Sequence, residues 1–319
     1  MEKKDFIEVS IVIPLYNESK TLPFLVERLN KLDDSTNLSL EFVLIDDGSK
    51  DNTAELMRSL AFSDKRYHCL FLSRNYGHQI ALTAGLDIAI AKNAIMVIDG
   101  DLQDPPELLT KFYEYYEKGY DVVYAVRKKR KENIIKKTCY FLFYRILKSI
   151  SYIEIPLDSG DFSLMSRKIV DVLKKMPEES RFIRGMRTWI GFKQIGIEYE
   201  REERIAGESK YTFKMLFKLA YNGVFNFSEF PIKFITNLGF ITVSLSIIYL
   251  AVTISKKIFF GTVPEGFTAL LFTIILFSGV QLVSLGIIGE YVLRIFFQVK
   301  GRPLYVLNGE ILEKEYKNG

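Results

Sequence analysis

The chain has 319 residues, 48% hydrophobic and 14% aromatic, which is enough for one large domain with an appendage. A formal net charge of +4 gives no support to a chain-wide nucleic-acid-binding role, and two histidines argue against a histidine-based zinc site. The first ten residues lack the apolar core of a signal peptide, and Cys69 and Cys139 lack metal-ligand or CxxC spacing, which predicts reduced thiols in the cytosol.

Apolar runs alternate with amphipathic stretches along the first part of the chain. Strands are predicted at 9–16, 40–47, 67–73, 94–99 and 120–126, and helices at 22–32, 51–60, 78–91 and 105–119. This order predicts an α/β fold, a mostly parallel sheet with helices on both faces. The polar clusters YNE, DDGSKD, SRN and DGDLQD follow the first four strands, where ligands of such sheets bind.

Two uncharged stretches near the C-terminus, 234–255 and 267–289, are each long enough to cross a bilayer as a helix. A short linker joins them, which predicts a two-helix transmembrane hairpin. Lysines and arginines outside the pair outnumber the two linker lysines, which places both termini in the cytoplasm. The alternative is a pair of buried helices in a soluble core.

Two further stretches, 127–152 and 210–227, combine a basic stripe or run with aromatic residues. Such a pattern is typical of an amphipathic helix lying in the headgroup plane of a membrane. The alternative is a solvated basic face over an ordinary core helix.

The sequence Asp99-Gly100-Asp101 is a DxD motif at the end of the fourth predicted strand. Two carboxylates flanking a glycine can hold Mg²⁺ or Mn²⁺ through oxygen ligands, Gln103 can add a third, and the cation would bridge to a diphosphate. The alternative is an acidic cap before the Pro105-Pro106 helix start, a role for which Asp104 is better placed.

Polar residues after the first two strands complete this edge of the sheet. Asn17 and Glu18 follow the first strand and Asp46 and Asp47 the second, where they can hydrogen-bond a nucleobase and a ribose. No GxGxxG motif follows the first strand and no GxxxxGK[ST] motif occurs, which disfavours a dinucleotide-binding fold and a P-loop NTPase.

The segments SIVIPLYNE, LIDDGSKD, LSRNYGHQIALTAG, DGDLQDPPEL, DSGDFSLMSR, RFIRGM, GESKYTF and QLVSLGIIGEYVLRI carry a resemblance that covers nearly the whole chain. It resembles family-2 glycosyltransferases of the GT-A fold, a Rossmann-like α/β fold, and among them the polyprenyl-phosphate sugar transferases. That group includes bactoprenol glucosyltransferases, the undecaprenyl-phosphate aminoarabinose transferase and dolichol-phosphate mannose synthase. The chain has DGD where the group usually has DAD, and Gly100 permits the same turn.

The resemblance implies roles for individual residues. The nucleotide pocket would be lined by Pro14, Tyr16, Asn17, Glu18, Asp46 and Asp47, and the metal held by Asp99, Asp101 and Gln103. Arg127 and Arg204 would hold phosphates, and Lys210 and Tyr211 would belong to a closing segment that contacts the donor. The alternatives are a helix-start carboxylate for Glu18 and a surface charge for Arg204.

Two carboxylates are candidates for the acceptor side of the site. Asp161, in DSGDF, is the favoured catalytic carboxylate, as a base or as a residue that orients a cation or an arginine near the incoming phosphate, and Asp158 is the second choice. The alternative is a plain loop cap. Arg181, Arg184 and Arg187 recur every three residues and would serve the acceptor phosphate or be solvated.

The function implied is a metal-dependent, inverting transfer of a hexose from a nucleotide sugar, expected to be a UDP-sugar, to polyprenyl (undecaprenyl) phosphate. The lipid-linked sugar would serve cell-envelope polysaccharide modification. The predicted domains are a cytoplasmic catalytic domain (1–205), amphipathic juxtamembrane helices (206–233), two transmembrane helices (234–293) and a cytoplasmic tail (294–319) in the inner (plasma) membrane.

Two other functions are considered. A processive polysaccharide synthase of the same fold would carry QxxRW, but Trp189 in RGMRTW lacks the required glutamine. A degraded DxD motif would favour a non-catalytic, membrane-docked nucleotide-sugar-binding protein, but Asp99, Asp101 and Gln103 are all present. Small residues in LGFIT and SLGIIGEY would allow close helix packing in a homo-oligomer.

Overall fold

The computed structural model describes residues 6–127, 159–200, 230–260 and 266–318. The chain divides into two compact units. The first contains the predicted catalytic domain and is called the catalytic unit for that reason; its described residues are 6–127, 159–200 and 302–318. The described residues of the second unit are 230–260 and 266–301. The predicted amphipathic stretch 210–227 and all but the first residue of 127–152 lie outside the described residues.

The catalytic unit begins as an alternation of strands and helices. The strands are β1 (Val9–Leu15), β2 (Leu40–Asp46), β3 (Tyr67–Leu72), β4 (Ala94–Val97) and β5 (Val122–Arg127). The helices between them are α1 (Leu22–Ser35), α2 (Thr53–Ser63), α3 (His78–Ile88) and α4 (Leu108–Glu117). All nine predicted elements are therefore present, with bounds that differ by a few residues.

Elements that the sequence analysis did not predict complete the unit. They are β6 (Ser159–Ser166), α5 (Arg167–Lys175), α6 (Ile183–Ile190), β7 (Gln194–Tyr199), β8 (Leu307–Leu312) and β9 (Glu315–Asn318). The strand order of the sheet is β7-β5-β6-β4-β1-β2-β3-β8-β9. The segment predicted as a tail therefore contributes two strands to the catalytic sheet.

Strand direction decides which residues share an edge. Strands β1 to β4 run parallel, β6 runs antiparallel to both β4 and β5, and β7 runs parallel to β5. The carboxyl ends of β1 to β5 and the amino end of β6 consequently lie along one edge. Ser166, at the end of β6, pairs with Ala94 at the start of β4 and lies at the opposite edge.

Helices cover both faces of the sheet, as predicted. Ile11 and Ile13 of β1 belong to the main core together with residues of α1, α2 and α4. Val12 points to the other face, because side chains alternate along a strand. There α3 packs so closely that a Cβ on Gly85 would overlap Val12 and lie 2.6 Å from Ile45 Cδ1.

The second unit contains α7 (Phe230–Phe260) and α8 (Phe267–Lys300). Stretches of 27 and 25 residues in them, Phe230–Lys256 and Leu276–Lys300, are long and apolar enough to cross a membrane, and neither is buried in the protein. The alternative of two helices buried in a soluble core does not agree with that exposure.

Candidate active site

The loop after β1 is fastened to the loop after β2. Asn17 adopts a left-handed backbone conformation (φ 54°), its Oδ1 accepts a hydrogen bond from Lys50 N at 2.8 Å, and its own N donates to Ser49 Oγ at 2.9 Å. Glu18 Oε2 accepts a hydrogen bond from Thr21 Oγ1 at 2.7 Å, just before α1. That contact agrees with the helix-start alternative for Glu18, and Tyr16 lies half-buried in the same loop.

The paired aspartates after β2 are buried and accept hydrogen bonds from the backbone. Asp46 Oδ1 accepts from Ser49 N at 3.1 Å. Asp47 accepts from Tyr76 N at 2.7 Å and from Gly77 N at 3.0 Å, through different oxygens. Burial raises the pKa of both carboxyls above the ordinary value. Asp47 thereby fixes the turn that leads into α3.

The DxD turn packs directly on β1. A Cβ on Gly100 would overlap Leu15 Cδ2 and lie 3.2 Å from Pro14 O, so glycine allows the turn to approach the strand. Asp101 is buried and its Oδ1 accepts from Gln103 N at 3.2 Å, whereas about a third (34%) of the Asp99 side chain is exposed. The predicted metal residues therefore lie in one turn over the predicted pocket residue Pro14.

These oxygen donors suit a hard divalent cation. Among the described residues, no group of three His, Cys, Asp or Glu side chains is placed to hold a metal. Mg²⁺ is commonly held by one or two carboxylates together with substrate phosphates, rather than by an all-protein cage. Asp99 and Asp101 fit that kind of site.

His78, at the start of α3, bridges the DxD motif and β6. Its Nε2 lies 3.5 Å from Asp99 Oδ1 and 3.5 Å from Asp161 Oδ2. Burial alone would lower the pKa of His78, but the two carboxylates outweigh it and raise the pKa to about 9. The imidazolium form links two carboxylates that come from β4 and β6.

Asp161 lies at the amino end of β6 with 11% of its side chain exposed. Gln79 Nε2 donates to its Oδ2 at 2.8 Å, and Gln79 Oε1 accepts from Ile183 N at 2.8 Å, which ties β6 to α6. Burial would raise the pKa of Asp161, but Arg184, His78 and Arg187 outweigh it and hold that pKa far below the ordinary value. Asp161 is therefore ionised at any pH near neutrality.

The three arginines of RFIRGMR have different environments. Arg181 precedes α6 and is buried, with bonds to Met176 O at 2.7 Å and Leu173 O at 2.9 Å. Arg187 is fully buried and donates to Ser163 Oγ at 2.7 Å. Both are internal, so neither predicted alternative, phosphate ligand or solvated charge, describes them. Arg184 alone of the three faces Asp161, with Nε 3.8 Å from Oδ1.

Arg127 ends β5 beside a buried pair. Tyr199 Oη donates to Asp104 Oδ1 at 2.5 Å, and Asp104 is buried. Burial would lower the pKa of Arg127, but Tyr199, Asp104 and Asp99 outweigh it and raise the pKa. The predicted cap role for Asp104 is wrong: α4 begins only at Leu108, because the two prolines form a turn first, and its N-cap residue is Glu107.

Residues 10–173 match the family model described as glycosyl transferase family 2. The chain belongs to that family. It is 44% identical over 302 residues to YkcC of Bacillus subtilis (strain 168), an uncharacterized glycosyltransferase, covering 94% of this chain and 93% of that protein. It is 37% identical to the prophage bactoprenol glucosyl transferase homolog of Escherichia coli (strain K12), covering 94% and 98%. The structure of S. aureus TarS 1–349 shares 15% identity with a TM-score of 0.44, covering 69% and 66%.

The predicted GT-A fold and the prediction of an enzyme, a glycosyltransferase, are confirmed. The glycosyltransferase brings Asp99, Asp101 and Asp161 to one edge of its sheet, and Pro14, Asn17, Asp46 and Asp47 to the same edge. Asp158, Arg204, Lys210 and Tyr211 lie outside the described residues. Their predicted roles stay predictions.

The sequence analysis missed His78, Gln79 and Tyr199 as site residues of this glycosyltransferase. His78 could have been found, because it is one of two histidines and comes three residues after the polar cluster SRN that follows the third strand. Gln79 and Tyr199 carry no such signal, since a polar residue in the first turn of a helix and a tyrosine at a strand end are ordinary features.

Proposed function

We propose that this glycosyltransferase transfers a hexose from a UDP-sugar to the phosphate of a polyprenol at the cytoplasmic face of a membrane. The observation that carries the proposal is the pairing of two carboxylate sites by His78, which lies 3.5 Å from both Asp99 and Asp161. The carboxylate of Asp99, in the DxD motif, suits a metal-bound diphosphate, and the carboxylate of Asp161 lies beside Arg184.

On the donor side, Asp99 and Asp101, with Gln103, would hold Mg²⁺ or Mn²⁺. When bound, such a cation neutralises diphosphate charge and makes the nucleoside diphosphate a better leaving group. Pro14, Tyr16, Asn17, Glu18, Asp46 and Asp47 are proposed to surround the nucleotide, and Arg127 to contact phosphate. Their shared place at one edge supports this assignment.

On the acceptor side, the chemistry needs no strong base. A phosphate monoester has a second pKa near ~6, so at neutral pH most of it is a dianion with no proton to lose. A base works best when its pKa lies near the operating pH, whereas the pKa of Asp161 lies far below it. Asp161 is therefore proposed to orient the acceptor side of the site. In-line attack of phosphate oxygen on the anomeric carbon would invert its configuration.

The membrane assignment is supported by two exposed apolar helices and by the names of relatives. Helices α7 and α8 contain stretches of 27 and 25 residues suited by length and composition to cross a bilayer. The Escherichia coli relative is named as a bactoprenol glucosyl transferase homolog. We propose that residues 234–255 and 267–289 span the plasma membrane and that the catalytic unit lies on the cytoplasmic side.

A panel of nucleotide sugars with undecaprenyl phosphate tests the proposal. Full-length protein in nanodiscs is incubated with UDP-glucose, UDP-galactose, UDP-N-acetylglucosamine or UDP-4-amino-arabinose, and lipid products are read by mass spectrometry. We expect one sugar-phosphoryl-undecaprenol product, dependent on Mg²⁺ or Mn²⁺, with stoichiometric release of UDP. The proposed acceptor would be contradicted if no donor gives a lipid-linked product while the sugar is transferred to water or to another acceptor and UDP is released.

A further inference from the structure

Arg184 and Asp161 face each other without a hydrogen bond. Arg184 Nε lies 3.8 Å from Asp161 Oδ1, within ion-pair range but beyond hydrogen-bond reach. Both atoms are buried, and neither has a hydrogen-bond partner within the part of the chain that the structure describes. Because buried polar atoms are nearly always paired, two orphans facing each other indicate that a polar group belongs nearby.

The charges around Asp161 point to an anion. Arg184 and Arg187 are permanent cations, and the hydrogen bonds that Arg187 donates to described residues go to neutral oxygens, Ser163 Oγ at 2.7 Å and Gly160 O at 3.2 Å. Arg187 Nε is also buried without a partner among the described residues. Among the described residues, the guanidinium groups of Arg184 and Arg187 both interact with the Asp161 carboxylate. His78 adds further positive charge there, although it divides its contacts between Asp161 and Asp99. An added anion would balance this excess of positive charge.

Arg184 is better placed than the other two arginines to reach that anion. Arg181 and Arg187 are held by hydrogen bonds inside the protein, whereas the Arg184 side chain is 16% exposed. Its planar fork of N–H donors matches phosphate oxygens, and charge-assisted bonds of this kind are strong. The contact with Asp161 is made by Nε, and the exposed part of the side chain can reach a ligand.

We infer that Arg184 binds the phosphate of the acceptor and that Asp161 orients Arg184 for this contact. The inference rests on the proposed function, since it assigns the acceptor phosphate of that reaction to a residue. It also explains how an ionised carboxylate can lie beside a phosphate dianion: the guanidinium stands between the two anions and attracts both.

Binding measurements on the full-length protein in detergent test this inference directly. Geranyl phosphate serves as a soluble acceptor probe, geraniol as the same chain without phosphate, and UDP as the donor-side probe. We expect Arg184→Gln to weaken geranyl phosphate binding about 10- to 100-fold, the loss typical of bonds between charged groups. UDP affinity should change less than about 2-fold, and Arg184→Lys should give an intermediate loss because it keeps the charge but not the fork.

Lys168→Gln is the matched control, because it removes a cation that pairs with Asp121 at 2.6 Å and follows the opposite end of β6. It should leave both affinities unchanged. Retained UDP binding shows that a variant is folded. If Arg184→Gln does not fold, Arg184→Lys decides alone.

Three results would overturn the inference. An Arg184 variant that binds geranyl phosphate and geraniol like the wild type would assign Arg184 a structural role. A loss of UDP affinity with geranyl phosphate affinity intact would move Arg184 to the donor side. A wild-type protein that neither binds geranyl phosphate nor modifies undecaprenyl phosphate would reject the proposed function, and the inference with it. The first two outcomes, with transfer to undecaprenyl phosphate intact, reject the inference alone.

Discussion

Replacing Gly100 with alanine should destabilise the catalytic unit. The new Cβ would overlap Leu15 Cδ2 and approach Pro14 O to 3.2 Å, and Leu15 is itself only 1% exposed, so it has little room to move. Overpacking of this kind costs about 1–3 kcal/mol. For a unit of this size that corresponds to a fall in melting temperature of about 2–10 °C.

The assay is thermal melting followed by tryptophan fluorescence, because the chain has one tryptophan, Trp189, and it lies in α6 of the catalytic unit. Leu15→Val removes the carbon that clashes, so the double variant Gly100→Ala/Leu15→Val should be more stable than the sum of the single effects by about 1 kcal/mol or more. Transfer activity of the double variant should persist, since both carboxylates of the DxD motif, Asp99 and Asp101, are retained. Equal melting of Gly100→Ala and wild type, or strictly additive effects, would refute the packing argument.

Asp101→Asn should abolish transfer without lowering the melting temperature by more than a few degrees. EDTA should abolish transfer by the wild type until Mn²⁺ is restored. Normal turnover of the variant with Mn²⁺ would reject the metal assignment. Asp161→Asn should raise the acceptor KM more than it lowers kcat, and the rate of both forms should rise with pH through ~6, as the acceptor phosphate loses its second proton. A rise of the rate with pH that occurs in the wild type and is absent from Asp161→Asn would contradict the orienting role, because it would show that Asp161 itself titrates in the reaction. Ile311→Ala should cost about 2–5 kcal/mol of catalytic-unit stability, because Ile311 is fully buried, whereas Val306→Ala at a 51% exposed position should cost less than ~0.5 kcal/mol; similar losses at both positions would show that β8 is not part of the core.

The parallel half of the sheet could be predicted because its strands are buried on both faces and read as continuous apolar runs. Strand β6, SGDFSLMS, mixes polar and apolar residues and gives no such signal. Strand β8 pairs with β3 through Cys69 and Ile311, positions separated by both apolar helices. Local periodicity contains no information about a contact at that distance along the chain.

The candidate site, like the sheet, was predictable only in part. Carboxylates at the ends of predicted strands are conspicuous, so Asp99 and Asp101 could be named from the sequence, whereas Asp161 lies in the unpredicted strand β6 and was named from its place in the segment DSGDF. The spacing of three residues suggested one face for Arg181, Arg184 and Arg187, yet α6 begins at Ile183, so the first of them is not on the helix. The sequence does not distinguish Arg187 from Arg184, whereas the structure does: Arg187 is internal, at 0% exposure, and the Arg184 side chain is 16% exposed.

The environment of Asp161 favours the proposed orienting role over that of a general base. A general base must accept a proton during the reaction, which is unfavourable for a carboxylate whose pKa is held far below the ordinary value by Arg184, His78 and Arg187 against its own burial. The proposed acceptor would supply its own nucleophile, because a phosphate monoester is already a dianion near neutral pH. What the reaction lacks is a way to bring that dianion close to the DxD carboxylates without repulsion. Asp161 accepts a hydrogen bond from Gln79 at 2.8 Å and faces Arg184. In the proposed reaction, its fixed negative charge would hold that cation where the incoming phosphate needs it.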